Sequence, residues 1–272
     1  NAMRKKFQRI FKEGSWHEWA PINRDSERLG TAMCFGAPAR PVADLSKTRV
    51  LVCFDADPLM NHPANLSHSA GWASLRRSAD DDEPAFSRVY SVESAYSVTG
   101  GAADVHITAR SAEISRMVAQ LAKALGGSDW LPDDVAAVVA ESGDPDSRIL
   151  QMAADLKAYS GQSLVMAGDR QPPEVHALVH AINTRAIDAA GNTVSYAEVH
   201  YPSRPSHLAD LEALAAKIQG GEVEHLIILG VNPVYDAPSV GGQAWADLIK
   251  RVPSSVHLGE YMDETGRACG WH

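Results

Sequence analysis

Val50-Leu51-Val52-Cys53-Phe54-Asp55-Ala56-Asp57-Pro58-Leu59-Met60-Asn61-His62-Pro63 decides the fold. Five consecutive apolar residues, three of them β-branched or aromatic, read as a strand buried on both faces, the mark of a parallel sheet. The Asp57-Pro58 step that follows turns the chain sharply, because the Asp side chain can bond the backbone ahead of it and proline fixes φ. The same grammar recurs near the other end, where His225 to Leu229 reads as a strand and Gly230-Val231-Asn232-Pro233-Val234-Tyr235-Asp236-Ala237-Pro238 follows it. The two boxes share the Asp/Asn-Pro step, the next aliphatic and the closing proline. A second box recurs after each: Thr99-Gly100-Gly101-Ala102 and Thr265-Gly266-Arg267-Ala268. Two boxes in the same order, each after a strand, point to duplicated units.

Working outward, short apolar runs alternate with helically spaced segments, the rhythm of a parallel sheet covered by helices. The spacing predicts strands at 49–54, 88–92, 163–167, 193–199, 225–229 and 255–258. It predicts helices over 111–125, 132–140, 147–159, 172–189, 207–219 and 242–251. The expected fold class is α/β: two similar doubly wound, Rossmann-like halves related by internal duplication, residues 3–130 and 131–272. Asn1-Ala2 ahead of Met3 reads as the remnant of a cleaved tag, and the chain reads as a piece of a longer protein. Residues 79–84, Ala-Asp-Asp-Asp-Glu-Pro, read as a solvated surface loop.

The chain has 272 residues, 25 Lys+Arg against 34 Asp+Glu, and a formal charge of -9. That balance argues against a nucleic-acid partner, which needs clustered cations. No apolar run approaches the ~18 residues that would insert in a bilayer. Cys34, Cys53 and Cys269 are too scattered for an iron–sulfur cluster or a Cys-x2-Cys zinc site, and Cys53 reads as a core residue. His176 and His180 share a helical face but lack the Glu beside His176 that a His-Glu-x-x-His site needs, so they read as surface or hydrogen-bonded side chains. With no Gly-x-Ser-x-Gly elbow, hydrolase chemistry has no foothold. The Trp16-His17-Glu18-Trp19 run reads as an anchor for the first segment.

At the repeated boxes the chain resembles the molybdopterin oxidoreductases. Leu226-Ile227-Ile228-Leu229-Gly230-Val231-Asn232-Pro233 and Asp263-Glu264-Thr265-Gly266-Arg267-Ala268 are similar to that family's paired strand-Gly-x-Asn-Pro and Glu-Thr-Ala loops. Thr99 to Ile107, followed by the helix from Ser111, resembles its Thr-x-x-Ala-Asp loop, strand and helix. A narrower resemblance is to the iron–sulfur subunits of alternative complex III, on Phe54 to Pro58, Val92-Glu93-Ser94 with Thr99-Gly100, Ala167 to Leu178, and Val256 to Gly259 with Asp263-Glu264-Thr265.

This resemblance implies a scaffold domain without cofactor, in a subunit whose iron–sulfur clusters lie in another part of the parent protein. The implied partners are the other subunits of a membrane-bound, quinol-oxidising complex, with the parent protein on the periplasmic face. The alternative is the dinucleotide-binding part of an active molybdenum enzyme that holds molybdopterin guanine dinucleotide. Under either reading the cofactor-facing candidates are Gly230, Asn232, Asp57, Thr99 and Thr265, the first reading making them vestigial. No catalytic or metal-ligating residue is assigned. Asp55, Asp57 and Asp169 at the expected strand ends would repel a pyrophosphate, which prefers backbone N–H groups at a helix N-terminus. Glu93-Ser94-Ala95 stands where the catalytic family carries an Arg.

Overall fold

The computed structural model describes residues 2–76 and 87–272, so the acidic loop read at 79–84 lies outside the described residues. The chain divides into two units: Arg24–Pro202, and the residues up to Asn23 together with Ser203–His272. The boundary expected between residues 130 and 131 therefore falls inside the larger unit.

Strand pairing explains that boundary. In chain order the strands are β1 (Ala39–Ala43), β2 (Val50–Phe54), β3 (Arg88–Glu93), β4 (Val105–Thr108), β5 (Ser163–Ala167), β6 (Val194–Glu198), β7 (His225–Leu229) and β8 (Ser254–Leu258). The larger unit holds a four-stranded sheet of order β4-β3-β2-β5, parallel throughout. β5, read from sequence as part of the second half, sits directly beside β2, with Val50 opposite Ser163 and Phe54 opposite Ala167. Every residue of β2 is buried, as the apolar run required.

Helical stripes supply the cover. The Ser111–Ala124 helix buries Ile114, Met117, Val118 and Leu121, spaced by three and four so that they share one face. The Ser147–Ala158 helix does the same with Ile149, Met152, Ala153 and Leu156. Its start is fixed by the Asp146 side chain, which accepts from the Arg148 and Ile149 N–H groups that the first turn leaves without helical partners. Gly30 lets the Asp25–Phe35 helix pack on the Pro173–Ala181 helix, since a Cβ there would lie 2.4 Å from His176 Cβ and 2.8 Å from the Pro173 carbonyl oxygen.

Three expectations are corrected. The strand read at 193–199 does not join the parallel sheet; β6 pairs antiparallel with β1, a strand that Arg40 and Pro41 disguise in the sequence. The helix read to Ala189 leaves α geometry after Ala181 and passes into a π-helical turn over Ile182–Ala186. That turn carries Asn183, whose side chain accepts from Val165 N–H (2.9 Å) and donates to the Val165 carbonyl (2.8 Å). One amide side chain thus satisfies both backbone groups of Val165. The helix read from Gly242 begins only at Trp245.

In the smaller unit β7 and β8 form a parallel pair. Leu226 and Ile228 pack with Leu211, Ala215 and Ile218 of the His207–Gln219 helix and with Trp245, Leu248 and Ile249 of the Trp245–Arg251 helix. The first segment is anchored as its aromatic run suggested: Trp19 Nε1 donates to Asp236 (2.7 Å), and His17 Nδ1 lies 2.8 Å from Asp210. The parallel sheets of the two units have four and two strands, so duplication of whole halves is not displayed; what recurs is local.

Candidate functional site

The recurring element is a hydrogen-bonded knot beyond a strand's carboxyl end. In the larger unit Asp57 Oδ1 accepts from Thr99 N–H (3.0 Å) and from the Thr99 hydroxyl (2.6 Å), while Leu59 N–H donates to that hydroxyl oxygen (3.2 Å). In the smaller unit Asn232 Oδ1 accepts from Thr265 N–H (3.2 Å) and from the Thr265 hydroxyl (2.7 Å), and Val234 N–H donates to Thr265 Oγ1 (3.1 Å). Both threonines are fully buried. Each opens a short helix, Val98–Ala102 or Glu264–Ala268, whose preceding residue caps it: Ser97 Oγ accepts from Gly100 N–H (2.9 Å), and Asp263 Oδ1 from Gly266 N–H (2.7 Å). The sequence boxes thus bring Asp57 to Thr99 and Asn232 to Thr265.

The two knots differ in what surrounds them. Beside the first lies Glu93, only 3% exposed although it is a carboxylate. Its oxygens accept from Ser97 N–H (3.0 Å) and the Ser97 hydroxyl (2.6 Å), and His106 Nε2 approaches to 2.9 Å. Glu93 fills the space above Gly100 so closely that a Cβ there would stand 1.8 Å from Glu93 Oε1. Asp55 has φ of 53°, a left-handed conformation that Asp tolerates better than most residues. Its carboxylate accepts from Ser94 N–H (3.2 Å) and Gln171 Nε2 (3.1 Å). Asp169 pairs with Arg24 at 3.5 Å. The second knot is more open. Gly230, with φ of 64°, has nothing within 4 Å of the place a Cβ would take. The Asn232 amide nitrogen donates to Glu264 (2.8 Å), and that bond holds the exposed carboxyl below its usual range.

A molybdopterin guanine dinucleotide would bring a pyrophosphate to such strand ends. In the larger unit these residues do not fit it: Asp55, Asp57 and Glu93 are acceptors, and a dianion among them would meet like charge in a partly dry site. Sequence reasoning missed Glu93 as the filling residue, because nothing in the local pattern marks that its side chain folds back onto the Ser97-capped helix and His106 of β4. A glycine pair after a strand ending in Glu was the available signal.

Elsewhere, Cys53 is fully buried, as read, and burial pushes its thiol up. His176 and His180 are not on the surface; they are 2% and 5% exposed and face a cavity. His180 Nδ1 lies 3.1 Å from the Tyr196 hydroxyl, and the His176 ring is hydrogen-bonded to backbone at Gly168 and Gln171. Among the described residues, no group of three or more His, Cys, Asp or Glu is placed to hold a metal ion, and no helix is long and apolar enough to cross a membrane.

Comparison with solved structures gives a neighbour with this architecture, acetylene hydratase from Pelobacter acetylenicus. The TM-score is 0.57 at 10% identity, over 92% of this chain and 43% of the hydratase. The likeness is one of fold. It extends to the α/β architecture alone, and this chain spans less than half the length of that neighbour. No family model and no curated sequence matches.

Proposed function

We propose that this chain is a cofactor-free scaffold domain of molybdopterin-oxidoreductase type, belonging to an iron–sulfur subunit of a membrane-associated, quinol-oxidising complex. Its role there is to position cluster-bearing and membrane partners for electron flow. The observation that carries the cofactor-free part is Glu93. A buried carboxylate fills the strand-end space over Gly100 and is held by Ser97 and His106, so the volume and charge that a phosphate needs are already taken. The complex itself rests on the sequence resemblance alone.

The open Gly230 loop favours a second reading, in which the smaller unit still binds a guanine nucleotide through Asn232. Thermal-shift titration with GDP and GTP separates the two. A ligand at a hundredfold its dissociation constant adds about 2.7 kcal/mol to stability. The scaffold reading expects no shift with either nucleotide. An upward shift that disappears in Asn232→Ala overturns it in favour of the second reading. Metal analysis of the purified chain is the companion measurement, with neither molybdenum nor iron expected in stoichiometric amount.

A further inference from the structure

Inside the larger unit a cavity of about 40 Å³ is lined by Glu27, His62, His176 and His180 among apolar neighbours that include Val165 and Val179. A water needs roughly 10–15 Å³, so there is room for about three. His176 and His180, four residues apart, present their rings from one face of the Pro173–Ala181 helix. The Nε2 atom of each is buried and has no hydrogen-bond partner among the described residues. Buried polar atoms are rarely left unpaired, and an unpaired pair at one cavity points to something bound there. The described donors are not arranged around a metal ion. Water, which can donate to one group while accepting from another, suits a mixed carboxyl and imidazole lining.

We propose that this cavity is a hydrated proton-holding site, in which ordered water joins the Glu27 carboxyl to the Nε2 atoms of His176 and His180. Burial pushes Glu27 up to about 7, with Asp169 adding to the rise while Arg24 and Arg40 oppose it. Burial also lowers His176 to about 4 and His180 to about 3. At neutral pH both imidazoles are therefore neutral, and the exchangeable proton belongs to the carboxyl. The other groups facing it are His62, lowered to about 3 by burial and stacked against His68, Arg24, and Tyr196, whose hydroxyl burial raises. Arg24 lies 3.9 Å from Glu27 and 3.5 Å from Asp169, so its charge is shared. When the proton leaves, it passes from the Glu27 carboxyl to the cavity water and on to solvent. The carboxylate left behind gains hydrogen bonds from that water.

Infrared difference spectroscopy on the intact chain tests the proton. Ordinary carboxyls titrate near pH 4, so a protonated-acid carbonyl band that persists at about pH 6 and is lost as pH rises through 7 is the expected result. Glu27→Gln, which keeps the side chain's shape, should abolish that band. The wild-type titration stands even if the variant folds poorly. A high-resolution crystal structure should show water within hydrogen-bonding distance of both Nε2 atoms. A carboxylate ionised throughout about pH 5 to 8, or a dry cavity, overturns the proposal.

Discussion

Thr99→Val and Thr265→Val each remove one hydroxyl from a knot while keeping shape and β-branching. At Thr99 the hydroxyl donates to a carboxylate at 2.6 Å and accepts Leu59 N–H at 3.2 Å. Losing a hydrogen bond to a charged group costs about 1.5–3 kcal/mol, and an N–H left without a partner about 1–3 kcal/mol. Because Thr99 is fully buried and Asp57 keeps the Thr99 N–H, a loss of about 3 kcal/mol is expected. At Thr265 the acceptor is the neutral Asn232 amide, so the first contribution falls to about 0.5–1.5 kcal/mol and the expected loss to about 2 kcal/mol. Urea denaturation followed by circular dichroism measures both. Amide exchange at Leu59 and Val234 reads each knot directly and should quicken only in the unit that carries the substitution. Thr99→Ser, which restores the hydroxyl, should recover most of the loss. Val variants within about 0.5 kcal/mol of wild type, with both amides still protected, would refute the claim that these hydroxyls hold the strand-end loops together.

Gly100→Ala should destabilise by about 2–4 kcal/mol, because its Cβ must displace a buried, triply bonded Glu93, whereas Gly101→Ala meets Tyr96 at an ordinary 3.5 Å and should be neutral or slightly stabilising; similar melting temperatures for the two would count against the packed carboxylate. Asn183→Leu strands the N–H and carbonyl of Val165 and should cost about 3 kcal/mol in the same denaturation assay, with no loss indicating that the π-helical turn has another cause. Stability should also depend on pH. His176 and His180 bind fewer protons folded than unfolded, so their contribution is present above 6.5 and is lost as pH falls toward 4 and 3, while Glu27, raised from 4.5 to about 7, acts in the opposite sense between those values. From about 4.5 to 6.5 His176 and His180 outweigh the one carboxyl by one proton, a rise of up to ~1.4 kcal/mol per pH unit, and His62, acting in the same direction, brings the ceiling to ~2.7 kcal/mol per pH unit. Glu27→Gln should steepen that rise, and an unchanged slope would show that Glu27 is ionised across the range.

The parts of the fold legible in the sequence are those whose physics is local. β2 announces itself through five apolar residues in a row, and the Ser111–Ala124 and Ser147–Ala158 helices through spacing and a capping Asp. The Asp25–Phe35 helix does not, because the residues it buries are Asp25, Gly30 and Thr31, which make no apolar stripe. β1 is hidden by a charged residue and a proline, and β6, buried fully only at Val194, shows nothing that tells an antiparallel partner from a parallel one. At the candidate site the repeated boxes were readable as turns, and their residues do meet. What they meet for was not, since the bond between Asp57 and Thr99 joins positions far apart in sequence and looks, position by position, like a cofactor loop. The histidine pair shows the same limit: its helical spacing is local, but its burial depends on Gly30 of another helix.

The contrast between the knots also bears on which loop could still serve a ligand. A carboxylate only accepts, so Asp57, with one oxygen on Thr99, turns its other to Asn61 Nδ2 at 2.9 Å and the first knot closes on its own segment. An amide both accepts and donates. Asn232 gives its oxygen to Thr265 and is left with N–H donors, one of which reaches the exposed Glu264. Trading that exposed contact for a ligand contact would cost little, because a hydrogen bond in open solvent is worth little net. At the first knot a ligand would have to displace buried Glu93 from Ser97 and His106 and would then face the carboxylates of Asp55 and Asp57. The duplicated geometry is therefore consistent with one function, pinning a short helix to a strand end. Any residual recognition would fall to the smaller unit, beside Gly230, and would favour a ligand edge able to donate to Glu264 and accept from Asn232 over a bare phosphate.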